Sequence, residues 1–155
     1  MRQHNVFIYG TLMTGRHNND RMLYLGADPI EPDAFVNSFE LFDVIGAEFP
    51  AAIPGHGTIH GELWRMDSIA LRVLDRFEAC YVRTRTDVYC EKLDRLLRTW
   101  IYIWKFDHSR LGFQVPDGTR WQGSKDAVPR VEVADSMWRL AALDGFSPTL
   151  QREDE

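Results

Sequence analysis

Cysteine is nearly absent from this chain. Two in 155 residues, Cys80 and Cys90, cannot make a disulfide framework, so a reducing compartment is expected. Basic clusters are missing too. Lys and Arg total 18 against 23 Asp and Glu, the net charge is −5, and no Lys/Arg block occurs. That argues against nucleic acid as a partner. No segment approaches the ~20 apolar residues that span a bilayer, and no basic stretch leads into a long apolar run. The expectation is a cytoplasmic protein with no membrane partner. Nucleotide and nucleophile fingerprints are also missing. "GHGTIHG" carries glycines at 55, 57 and 61, but it is not GxGxxG and it precedes strand-like sequence; GxxxxGK[ST] and GxSxG do not occur. His56 and His60 are four apart, yet in an extended chain they would stand ~13 Å from each other with no third ligand nearby. We therefore expect no metal and no cofactor.

What is present fits one globular domain with a real core: 45% hydrophobic and 26% charged residues. "HNVFIY" reads as a buried first strand ended by Gly10. Asn18, Asn19 and Asp20 are cap types before a short helix, "RMLYLG", stopped by Gly26. "ADPIEPDAFV" reads as a loop becoming strand, and "NSFELFDVIG" as a strand with Phe39, Leu41 and Val44 inside. "FPAAIPGHG" reads as a turn-rich connector, and "TIHGELWRM" as another strand. Asp67 should cap the helix "SIALRVLDRFE", whose Ala70, Leu71, Val73, Leu74 and Phe77 form an apolar stripe. "YVRTRTDVYCEKL" and "LLRTWIYIWKF" read as a hairpin turning at Asp94 and Arg95, the second strand covered on both faces. Beyond Phe106 the sequence is loop-rich, and "VEVADSMWRLAALDG" reads as a terminal helix. Strands that outnumber helices point to a small bent sheet or barrel rather than a doubly wound one.

Candidate chemistry is sparse. Cys80 follows a helix end, which disfavours thiolate, so it is read as a semi-buried thiol. Asp75 and Glu78 stand three apart on the second helix. A carboxyl in its last turn, partly buried against a sheet, would have a raised pKa and suit general-base work; a solvated helix face is the plainer reading of both. The loop after the first strand, with Gly10, can bring backbone N–H groups close to an anion, or can be a simple strand-to-helix turn.

Taken together, "FIYGTL", "FPAAIPGHGTIHGELWRMD", "LDRFEACYVR" and "RTWIYIW" resemble the gamma-glutamylcyclotransferase-like family, and more closely its gamma-glutamylamine cyclotransferase and AIG2-like branch. "VPDGTRW" looks like that branch's closing "SGDW" segment. The resemblance runs from about residue 4 to residue 122. It implies an α+β fold, a small mixed β-barrel of about five to seven strands with flanking helices. It divides the chain into a domain at 1–122 and a C-terminal extension at 123–155, helical and packed on the same domain. It also implies a cofactor-independent cyclotransferase acting on a gamma-glutamyl amine or amide, releasing 5-oxoproline. Tyr9, Gly10, Thr11 and Leu12 would be the substrate loop, and Glu78 the catalytic carboxyl. Two other functions fit the same fold: removal of a gamma-glutamyl protecting group from a biosynthetic intermediate, and non-catalytic small-molecule binding or protein interaction. One departure stands out. The family usually reads "FEG", whereas Ala79 follows Glu78 here, and Tyr81 comes only three residues after it.

Overall fold

The computed structural model describes residues 2–123, so all but the first residue of the expected C-terminal extension lies outside the described residues. The elements run β1 (Gln3–Ile8), α1 (Asn19–Tyr24), β2 (Asp28–Val44), β3 (Pro50–Asp67), α2 (Ser68–Phe77), β4 (Tyr81–Cys90), β5 (Arg95–Trp104) and β6 (Leu111–Gln114). A 3₁₀ turn at His108–Arg110 precedes β6.

The six strands form one mixed sheet in the order β3-β1-β5-β4-β2-β6. β2 also pairs with β3, so five strands close into a ring and β6 is appended to β2. Only β1 and β5 run parallel, through Val6–Trp100 and Phe7–Ile101. The architecture is the α+β class expected from the sequence.

Two expectations about the strands need correction. "ADPIEPDAFV" is not a loop: β2 runs unbroken from Asp28. Its prolines are tolerated because the β2–β3 register shifts between Pro29 and Glu31 and again between Glu31 and Ala34, and at such irregularities the ladder asks for no N–H. "FPAAIPGHG" is likewise strand, since β3 begins at Pro50. Its glycines serve close approach rather than turning. A Cβ on Gly55 would stand 2.5 Å from the Glu40 side chain, and one on Gly57 3.0 Å from the Phe39 carbonyl. β6 had no place in the sequence reading.

Alternation along the strands divides the core in two. Phe7, Val36, Ile59, Leu63, Val88 and Ile101, drawn from all five strands of the ring, make one cluster with no helical member among the described residues. Val6, Ile8, Trp64, Met66 and Tyr102 make the other, and Met22 of α1 and Ala70, Leu71 and Leu74 of α2 pack onto it. Each fully buried large side chain contributes about 1.5–3 kcal/mol. Helix α2 starts where the sequence says: the Asp67 carboxylate accepts the Ala70 N–H at 2.8 Å. The helix ends at Phe77, with Glu78 as its C-cap residue.

Candidate active site

The chain leaves β1 through the loop that begins at Tyr9 and Gly10. Two asparagines fix this loop. The Asn18 side-chain amide donates to Thr11 Oγ1 at 3.1 Å, and that of Asn19 donates to the Leu12 carbonyl at 2.9 Å. Asn18 sits at the N-cap position of α1 but makes no side-chain cap hydrogen bond. The residue read from sequence as a cap instead ties the loop. Further along, the Glu62 carboxylate accepts the Thr14 N–H at 3.0 Å, and Arg16 donates to the Trp121 carbonyl at 2.6 Å. The loop is thus pinned along its length.

Gly10 is required for packing as well as for reach. A Cβ there would lie 2.8 Å from Pro50 Cδ. Pro50 is held in turn, because the Tyr81 hydroxyl donates to its carbonyl at 2.7 Å. Gly10→Ala is therefore expected to lose roughly 1–3 kcal/mol of stability. Denaturant unfolding would measure this, and an unchanged midpoint would show that the Pro50 ring yields freely.

Glu78 faces the loop across a pocket. The pocket is lined by Tyr9, Gly10, Thr11 and Leu12 of the loop and by Phe77, Glu78, Cys80 and Tyr81 around the end of α2. Phe7, Ile8, Asn18, Phe49, Pro50 and Tyr102 complete the wall. All five residues proposed from sequence therefore line one cavity. The short exit after Glu78 is closed by a turn, Tyr81 N–H to Glu78 carbonyl at 3.0 Å, and Ala79 serves there without strain. Among the described residues no lysine or arginine lines the cavity, and no cluster of three or more metal-ligating side chains occurs.

Burial pushes the Glu78 carboxyl up to about 8; the negative Asp75 adds to the rise and Arg21 opposes it. Burial also raises Cys80 to about 12, with the charge of Glu78 adding. Tyr9, Tyr81 and Tyr102 are all raised, first by burial. Near neutral pH, Glu78 is thus the group in this wall poised to take and return a proton. The Tyr9 hydroxyl is committed elsewhere: it donates to the Tyr102 carbonyl at 2.6 Å and accepts the Ala52 N–H at 3.2 Å. Tyr9 thereby fixes the start of the loop to β3 and β5.

Asp75 does not lie on a solvated face. It is fully buried, and Arg83 grips both its oxygens at 2.8 Å while the Tyr102 hydroxyl donates to Oδ1 at 2.7 Å. Periodicity alone hides such a residue, because its partners come from β4 and β5. Tyr81 and Tyr102 were likewise read only as strand residues. The one signal available was the run of alternating aromatics, more than a plain strand core requires.

Comparison with known proteins bears on this site. The family model for "Gamma-glutamyl cyclotransferase, AIG2-like" matches residues 6–123. A "Putative gamma-glutamylcyclotransferase" of Vibrio cholerae is 33% identical over 109 residues, covering 68% of this chain and 86% of that protein. The "Gamma-glutamylaminecyclotransferase" of Bos taurus is 36% identical over 109 residues, 63% of each chain. Among solved structures, an AIG2-like protein from mouse superposes with a TM-score of 0.65 at 27% identity, over 73% of this chain and 86% of that one.

Proposed function

This chain belongs to the gamma-glutamyl cyclotransferase, AIG2-like family, and from that premise we propose that it cleaves a gamma-glutamyl amine by attack of the substrate's own α-amine, releasing 5-oxoproline and the free amine. The observation that carries the proposal is one cavity holding both the Gly10–Leu12 backbone and a carboxyl raised to about 8.

The substrate contains both nucleophile and electrophile. Folding it back on itself brings the α-nitrogen to the γ-carbonyl, and well-oriented intramolecular reactions reach effective molarities on the order of 10⁵ M or more. With no lysine or arginine among the described lining residues, the backbone N–H groups of the loop serve as donors to the substrate's α-carboxylate. Proton traffic then limits the rate. Two protons leave the attacking nitrogen as it passes from ammonium to ring amide. Two arrive at the departing nitrogen, which leaves as an ammonium. The ring C–N bond forms, the original amide C–N bond breaks, and Glu78 ends as it began. A carboxyl near 8 is a stronger base than an exposed one and stays a competent acid.

The test is incubation with a panel of gamma-glutamyl amines and dipeptides, with 5-oxoproline and free amine quantified. Stoichiometric release of both supports the proposal. Saturable binding across the panel with no release would make this a binding protein on the same fold.

A further inference from the structure

Behind Glu78 lies a buried polar assembly that the proton-transfer scheme does not use. In the β4–β5 hairpin Arg83 is paired directly with Tyr102, so both side chains rise from one face of the sheet. Both meet Asp75 on α2, three residues before Glu78, the C-cap residue that follows the helix. The Arg83 guanidinium also stacks 4.1 Å over Trp100, two residues before Tyr102 on the same face. Asp75 is completely buried and the Arg83 side chain is 5% exposed. Tyr102 lines the cavity, and its carbonyl holds the Tyr9 hydroxyl that anchors the loop. A chain of contacts therefore joins α2, β4, β5 and β1 around the cavity's back wall.

An ion pair this deep is costly to desolvate, and an apolar trio would often be at least as stable. Its placement suggests another use. We propose that Asp75 is a positioning residue for Glu78: a fixed buried anion one helical turn away that favours the protonated form of Glu78, with Arg83 and Tyr102 setting how much of its charge Glu78 feels. The proposal rests on Glu78 being the acid–base group.

Arg21 of α1 acts in the opposite sense. Tyr9 after β1, Cys80 and Tyr81 at the start of β4, and Tyr102 of β5 are neutral across the working range because each is raised. Arg83 faces Asp75 directly. Asp75 is thus the nearby anion whose removal should be felt. Tyr102→Phe works the other way: it removes a hydroxyl that partly neutralises Asp75.

The decisive measurement is a carbon-13 titration of the Glu78 carboxyl in the full chain, assigned through Glu78→Gln, in wild type, Asp75→Asn and Tyr102→Phe. Expected is a fall on the order of one pH unit in Asp75→Asn and a rise in Tyr102→Phe. The acid limb of kcat/KM for 5-oxoproline release should follow both. Loosening of the wall alone would hydrate Glu78 and lower its titration in both variants, so parallel falls overturn the proposal, as does an unmoved titration in Asp75→Asn. Should Asp75→Asn fail to fold, Tyr102→Phe decides: a rise supports the proposal and anything else overturns it. The titration needs no substrate. A chain that releases no 5-oxoproline would therefore end the proposed function and leave the role of Asp75 to be decided separately.

Discussion

Glu78→Gln is expected to slow 5-oxoproline release by ~10²–10⁴-fold, about 3–5 kcal/mol of barrier, while substrate binding stays measurable. Glutamine keeps the size and the hydrogen-bonding capacity of the side chain but cannot carry a proton. One group here serves both nitrogens, so the loss belongs at the upper end of that range. Binding should survive, because the donors proposed for the substrate carboxylate are backbone N–H groups of Gly10–Leu12, which the substitution leaves untouched. Release rate and affinity, measured separately with one active substrate, check this. Turnover at the wild-type rate would remove Glu78 from the chemistry. Asp75→Asn is not a neutral comparison, although it lies one turn earlier, since Asp75 is fully buried against Arg83 and Tyr102.

The sequence carried the local features and lost the long-range ones. Asp67, the apolar stripe and Phe77 bound α2 because capping and periodicity act within a few residues. β1, β4 and β5 were legible because aromatic and branched residues alternate there without proline. Of β2 and β3 only the second halves were legible, because the prolines at 29, 32, 50 and 54 in the first halves are ordinarily turn signals. Those at 29, 32 and 54 lie beside shifts in the β2–β3 ladder, which sequence cannot display. β6 makes two register pairs with β2, too few to impose a pattern. The site divides in the same way. Glu78 and residues 9–12 were found through resemblance and stand around one cavity. Asn18 looked like a cap and Asp75 like a surface carboxylate, because what each one touches lies on another element.

The same raised carboxyl makes stability depend on pH, with a sign opposite to that of an ordinary surface glutamate. In the folded chain Glu78 titrates near 8, against 4.5 for an unperturbed carboxyl. Below pH 4.5 both states hold the proton and there is no difference. Between 4.5 and 8 the unfolded chain has released it and the folded chain has not. The folded state then binds more protons, so stability falls as pH rises through this window and levels off above it. At 1.36 kcal/mol per unit the whole effect is at most about 5 kcal/mol. Other shifted groups act outside the window. Cys80 and the buried tyrosines ionise above it. Glu31, where burial is outweighed by the N–H groups of Lys92 and Asp33, is lowered and titrates below it. Glu78→Gln removes the proton linkage without emptying the site. Denaturant unfolding at pH 5, 6, 7 and 8 should therefore give a wild type that weakens steadily and a variant that stays nearly flat. The two curves meet near pH 5 and diverge by a few kcal/mol at pH 8. This gain in stability on losing the carboxylate mirrors the expected loss of turnover: the burial that makes Glu78 a base near neutral pH is the burial the folded state resists. Equal pH slopes for the two proteins would mean that Glu78 ionises freely in the folded chain, and an ordinary carboxyl at that position could not supply the proton transfers proposed for it.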